Sequence, residues 1–231
     1  MIDAIIIIGK PGSGKSVMVW YLNGLLDQDG IAVTHHSDRL GLEEAVLEDT
    51  KSAKKLPDGS KLGIHSKLIA DGPPGHRKVH VLDGTILNRV HEEMIASLVK
   101  RKKETGVALV EYAIGPDIDF GSGKEKLLQS AHHLVSHLEK YHVTTSVFVV
   151  DVEAGLAVRG ERQEKRPDAM AEETFRAYFP DGGEIGKKEE KILRGHYYRF
   201  RNREEDHDGY YSEARYLYEA HILPGLGGKQ R

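Results

Sequence analysis

The sequence predicts an α/β fold, a parallel sheet flanked by helices, in one domain of 231 residues. Three observations predict it. A β-branched run, Ile5–Ile8, leads through a glycine-rich turn into a stretch of helical period. Further apolar runs of strand length then alternate with longer helical runs, and such alternation builds a parallel sheet covered on both faces. The balance of 39% hydrophobic to 30% charged residues suits a chain with an ordinary core, not a disordered or fibrous one.

Taken in order, Ile5–Ile8 has the continuous apolar character of a strand buried on both faces. Lys15 to about Asp27 is a helix carrying Val17, Val19, Trp20, Leu22, Leu25 and Leu26, with Gly30 as its stop. A second strand covers Ile31–His35 and a helix Leu40–Asp49. Residues 51–78, rich in Lys, Gly and Pro, form an irregular excursion with short strands near Gly63–Ile69. Val79–Leu82 is the next strand, and Thr85–Lys103 a helix with Thr85 as N-cap. Then come strand Val107–Tyr112, helix Lys124–Tyr141, strand Ser146–Val152 and a helix from Ala154 to Arg166, broken by Pro167. Glu172–Tyr178 and Lys187–Arg194 read as helices, Tyr197–Arg201 as a last strand and Ser212–His221 as a terminal helix before a frayed tail. No internal repeat and no interdomain linker interrupts this order.

Several functions are excluded or disfavoured. The chain has no cysteine, which removes disulfides, thiolate nucleophiles and Cys-ligated metal. Its net charge of −3 gives no global pull toward nucleic acid or an anionic membrane. No apolar run approaches the roughly 20 residues needed to cross a bilayer, and the N-terminus lacks a basic stretch before its apolar run. The expected location is the cytoplasm.

The turn after the first strand reads Gly9-Lys10-Pro11-Gly12-Ser13-Gly14-Lys15-Ser16, a complete G-x-x-x-x-G-K-[ST] between strand and helix. Glycines let successive N–H groups fold into a nest around phosphate oxygens, and the helix start adds a positive dipole end. Lys15 is expected to reach the β- and γ-phosphates, and Ser16 to ligate Mg²⁺. Gly9, Pro11, Gly12, Ser13, Gly14, Lys15, Ser16 and Val17 are thus the nucleotide-binding candidates, with ATP and Mg²⁺ as cofactors.

Asp38 and Asp83 come just after a predicted strand, and Glu111 and Asp151 follow the apolar runs Val-Ala-Leu-Val and Val-Phe-Val-Val at strand ends, where an open α/β sheet presents its ligand groups. Glu111 is the first choice to serve Mg²⁺ and Asp83 the second; a helix cap is the alternative role for each. Asp38-Arg39 follows the second strand. Asp38 there can take a proton from an acceptor hydroxyl or cap the next helix, and Arg39 can hold a phosphate.

Residues 151–168 place Arg159, Arg162 and Arg166 at i, i+3 and i+7, one stripe of a helix able to contact phosphates. The phosphate loop, the strand Ser146–Val150 with Asp151, and this arginine series resemble P-loop kinases of the nucleoside and nucleoside-monophosphate group. The resemblance implies a five-stranded parallel sheet, a lid (about 154–183) whose arginines close over phosphates, and an acceptor-binding insertion at about 51–78. It implies transfer of the γ-phosphate of ATP to a small acceptor, a nucleoside or nucleotide. Catalytic candidates are then Lys15, Asp38, Arg159, Arg162 and Arg166; substrate-binding candidates are Asp38, Arg39, Asp83 and Glu111. Phe200-Arg201-Asn202 falls where the group has a last strand and an adenine-side loop. The chain lacks the Asp-Gly-x-Pro-Arg acceptor motif of adenylate kinases and the Glu-Arg-Ser of deoxynucleoside kinases, so the acceptor stays open.

Other patterns have bland readings. His133 and His137 share a helix face without the Glu of a zincin motif. Lys100–Lys103 complements a helix C-terminus. Six tyrosines between 194 and 218, interleaved with arginines, pack a terminal helix or stack bases, and packing is favoured by the acidic net charge. The alternative functions are a kinase acting on polynucleotides and a regulatory ATP-binding protein without transfer. A homodimer is one open oligomeric state.

Overall fold

The computed structural model describes residues 1–100, 106–165, 175, 176, 179, 180, 184–202 and 207–227. Its centre is a five-stranded sheet of β1 (Ala4–Gly9), β2 (Val33–Ser37), β6 (Val107–Ala113), β7 (Val147–Glu153) and β8 (Tyr197–Arg201), in the order β2-β6-β1-β7-β8. All four pairings are parallel. Every residue of β1 is buried, which is why its sequence is a bare run of isoleucines.

Alternate isoleucines feed two cores. Ile5 and Ile7 point to one face, where α1 (Lys15–Gln28) and α7 (His207–Leu217) bring Met18, Leu22, Leu26 and Leu217. Ile6 and Ile8 point to the other, where α3 (Thr85–Lys100), α4 (Ala131–Lys140) and α6 (Lys187–Leu193) bring Ile95, Leu134, Leu138 and Leu193. The result is a three-layer sandwich, the expected fold class. Helix α1 ends as expected: Gly30 takes φ +70 and the Ile31 amide donates back to Leu26, closing the helix through a left-handed residue. The chain finishes in a π-turn (Tyr218–Ile222) and a short helix α8 (Leu223–Leu226).

The excursion is a second, antiparallel sheet of β3 (Lys61–Leu62), β4 (Ser66–Ala70) and β5 (Lys78–Val81). This corrects one expectation. The strand after the excursion pairs with β4, not with the central sheet, so Asp83 does not lie at the end of a parallel strand. The small sheet is tied to α2 (Asp38–Asp49) by buried Glu43 and by Asp49, whose carboxylate accepts the His65 amide and the Ser66 hydroxyl.

Several helix boundaries differ from the periodic reading, among them the terminal helix, which starts at His207 instead of Ser212. Helix α2 starts at Asp38 instead of Leu40. Helix α4 covers only Ala131–Lys140, because Leu127 bridges to Ile118 and the Asp117 carboxylate accepts the Gln129 and Ser130 amides at the helix start. Helix α5 (Leu156–Glu164) follows β7. Residues 101–105, most of the helix expected at 172–178, and the tail from 228 lie outside the described residues. Among the described residues no helix is long and apolar enough to cross a membrane.

Candidate active site

The chain turns back across β1 between β6 and β7, and such a switch point opens a crevice at the C-terminal strand ends. The glycine-rich loop fills that position. Gly12 and Gly14 have φ of +80 and +101, which L side chains rarely adopt. A Cβ on Gly12 would lie 2.7 Å from the Arg159 carbonyl oxygen, and one on Gly14 would strike the Asn202 side-chain amide. Helix α1 opens directly behind, the Met18 amide donating to the Gly14 carbonyl at 3.1 Å. Lys15 is buried and its Nζ donates to the Lys10 carbonyl at 3.2 Å.

Ser13 lies inside this loop with its Oγ buried and no hydrogen-bond partner among the described residues. A buried hydroxyl without a partner is costly, and a phosphate oxygen would satisfy it. The loop residues therefore fit a polyphosphate. A cavity of about 430 Å³ opens beside them, lined by Lys10, Ser13, Asp151, Glu153, Glu184 and Asn202 among others.

Strand register delivers the carboxylates. Glu111 stands opposite both Ile7 and Ser37, and its Oε1 accepts the Ser16 hydroxyl at 2.8 Å. A hydroxyl beside a carboxylate at a phosphate loop is an all-oxygen set of the kind Mg²⁺ uses, since that ion keeps several waters. Asp38, one residue past β2, is buried, and its carboxylate accepts the Ala113 amide. Burial pushes its pKa up, but His91, that amide and the Lys15 charge outweigh this, and the group sits below its ordinary value. Asp38 is thus a carboxylate at neutral pH, at the same C-terminal edge of the sheet as Glu111.

Asp83 is placed elsewhere. Its Oδ1 accepts the Thr85 amide at 2.9 Å, capping α3, and its Oδ2 meets His65 Nδ1 at 2.9 Å. The cap is therefore Asp83, not Thr85. Asp151 stands opposite Ile8 at the cavity floor. Burial, reinforced by Glu153, raises its pKa to about 7 despite the opposing charge of Arg199.

The arginine stripe divides. Arg162 donates to the Gly12 carbonyl at 3.1 Å, directly on the loop. Arg159 is fully buried and spends its guanidinium on the Ala154 and Phe179 carbonyls, at 3.1 and 2.9 Å, and on the Phe175 ring. In this arrangement it fastens the lid region to the end of β7, and it also lines the cavity beside the loop. Arg166 and Asp168 lie outside the described residues. Arg39 bonds Glu43 at 2.8 Å and the Arg77 carbonyl, so it bridges α2 to the excursion.

Four participants were not among the candidate site residues. Glu43 is a fully buried carboxylate holding Arg39, Arg77 and the Gly75 amide. His91 lies against Asp38. Lys10 pairs with Glu184 across the cavity. Asn202, in the loop noted after the last strand, donates to the Ser13 carbonyl at 2.6 Å. Acid–base pairs between distant segments leave no periodic trace.

The remaining patterns take structural places. His133 meets Asp117 at 2.8 Å and His132 meets Glu189 at 3.1 Å. Tyr210 packs on Phe200 with ring centroids 4.8 Å apart, Tyr211 packs on Tyr21 at 5.0 Å, and Tyr218 is buried. The tyrosines mostly bind the terminal helix to the sandwich; Tyr216 is exposed.

No protein-family model and no curated protein matches the chain. Among solved structures, an unliganded sugar kinase from Janibacter sp. is similar at a TM-score of 0.48 and 12% identity, over 98% of each chain. Shikimate kinase from Acinetobacter baumannii, in complex with shikimate, is similar at a TM-score of 0.47 and 10% identity, over 96% of each chain.

Proposed function

We propose that this chain is a phosphotransferase that moves the γ-phosphate of ATP to a hydroxyl or phosphate of a small acceptor of nucleoside or nucleotide type. The observation that carries the reading is the gathering of Lys15, the Ser16–Glu111 pair and the Asp38 carboxylate at neighbouring strand ends around one glycine nest. Phosphoryl transfer asks the protein for little besides positioning and charge neutralisation, and this set supplies both.

In the proposed reaction, the loop amides, the Ser13 hydroxyl and Lys15 hold the β- and γ-phosphates. Ser16 and Glu111 hold the Mg²⁺ that neutralises phosphate charge when bound. The acceptor enters between β2 and the excursion at 51–78. Asp38 takes the hydroxyl proton as the acceptor oxygen bonds to the γ-phosphorus and the bond from that phosphorus to the bridging oxygen of ADP breaks. Where the acceptor group is already a phosphate, no strong base is needed and Asp38 only positions it. Arg162, already on the loop, is the lid cation best placed to turn onto phosphate.

The test is incubation with γ-labelled ATP and Mg²⁺ against pooled nucleosides, nucleotides, sugars and oligonucleotides. Label in one small-molecule pool is the expected result. Label in the oligonucleotide pool alone would move the assignment to a polynucleotide kinase, and nucleotide binding without any labelled product would make the chain a nucleotide-binding regulator.

A further inference from the structure

Behind Asp38 lies a buried histidine that the reaction above does not use. His91, on α3, is 2% exposed. Its Nε2 stands 3.8 Å from Asp38 Oδ2, and neither ring nitrogen makes a hydrogen bond among the described residues. The ring lies on Tyr112, centroids 4.2 Å apart and planes 30° apart, and Tyr112 is itself buried in β6 next to Glu111. A neutral imidazole carries one N–H and one bare nitrogen, and burial of both without partners is unfavourable. Packing on Tyr112 limits the ring's motion, while the Ala113 amide donates to the same Asp38 oxygen, Oδ2, that faces His91 and leaves Oδ1 free of both. A shift of under an ångström in either side chain would turn the 3.8 Å approach into a charge-assisted hydrogen bond.

We propose that His91 is a positioning residue for phosphoryl transfer: its Nε2–H engages the Asp38 carboxylate and aims the free oxygen lone pair at the acceptor hydroxyl. The inference rests on the phosphotransferase reading and adds a specific claim to it, that Asp38 works as half of a buried carboxylate–imidazole pair. It also accounts for a histidine, where a leucine would fill the same space between α3 and β6 without the cost of two buried, unpartnered nitrogens. A base held this way loses little orientational freedom when the acceptor arrives, which is where positioning lowers a barrier. His91 touches Asp38 and not the acceptor.

The test uses the full chain and the acceptor pool that takes label from γ-labelled ATP. His91→Phe keeps the ring on Tyr112 and removes both nitrogens; His91→Gln restores an amide N–H near the Nε2 position. The expected result is a kcat lower by roughly 10- to 100-fold in His91→Phe, part of the 10²–10⁴ that a positioned base contributes, with KM for ATP unchanged. His91→Gln should recover a large share of the loss. In an Asp38→Asn background, His91→Phe should cost nothing further, because residues acting as a unit are not additive. Full activity in His91→Phe, or the same loss with and without Asp38, overturns the positioning role while leaving the phosphotransferase intact. A wild-type chain that labels no pool overturns both. Where His91→Phe fails to fold, His91→Leu, which also removes both nitrogens, is compared with wild type in the two Asp38 backgrounds and decides the same question.

Discussion

Ser16 Oγ and Glu111 Oε1 lie 2.8 Å apart although 95 positions separate them in the chain. Parallel pairing of β1 with β6 brings them together: Ile7 stands opposite Glu111, so the carboxylate ends up level with the start of α1. A hydroxyl and a carboxylate so placed form one side of a hard-cation site. Glu111→Gln keeps the volume and removes the charge. The Mg²⁺-dependent gain in ATP affinity should then fall by about tenfold or more, while binding of ATP in EDTA stays near wild type; titration calorimetry with and without Mg²⁺ reads the difference.

Lys15→Ala removes the only loop cation expected at the transferring phosphate. Transfer should drop at least about 100-fold, the scale of losing one preorganised charge contact. Lys15 belongs to neither apolar core, so the fold should persist. Label transfer and thermal unfolding, measured side by side, check both halves.

Gly12→Ala tests the loop's backbone. The new methyl group would press on the Arg159 carbonyl at 2.7 Å, and φ of +80 is strained for alanine. A cost of more than about 1 kcal/mol is expected from the conformation alone. ATP affinity should fall with it, since the loop can accommodate the methyl group only by opening its nest. Denaturant unfolding and nucleotide titration give the two numbers.

Asp151 makes stability depend on pH in a definite direction. Its folded pKa of about 7 lies above the ordinary carboxylate value of 3.8. The folded state therefore binds the proton more tightly than the unfolded state. The penalty for ionising it is absent below about pH 4, grows between pH 4 and 7, and is complete above pH 7. Asp151→Asn should raise the melting temperature at pH 8, by the equivalent of a few kcal/mol at most, and have little effect near pH 4. An unchanged difference between the two pH values would remove the assignment.

Glu43→Ala should loosen the excursion. It leaves Arg39, Arg77 and the Gly75 amide without their shared acceptor. The expected cost is about 2 kcal/mol, below the full value for a buried pair because Arg39 is partly exposed. Faster limited proteolysis between residues 51 and 78, with the central sheet intact by circular dichroism, is the readout.

Much of this was legible before any coordinates because it is local. The phosphate loop is contiguous, its glycines answer to φ values that other residues avoid, and its helix begins one residue later. The isoleucine run of β1 and the stop at Gly30 are of the same kind. Glu111 and Asp38 were found as candidates because strand ends can be counted. The misreadings turn on which group a stretch pairs with, not on its own period or composition. Lys124–Ser130 has helical period, yet the bridge from Leu127 to Ile118 holds it extended. Val79–Val81 has strand composition, and composition does not say which strand it pairs with.

The amino-acid sequence by itself determined the α/β class and the glycine-rich loop that carries the catalytic candidate Lys15 and the metal candidate Ser16, since backbone preference and hydrophobic period act within a few residues. Tertiary structure alone decided that Asp83 caps a helix, that Arg159 is spent on carbonyls while Arg162 meets the loop, and that His91 stands against Asp38. Those outcomes depend on strand register and on which face of a helix meets the core, and both are settled only when distant segments pack together.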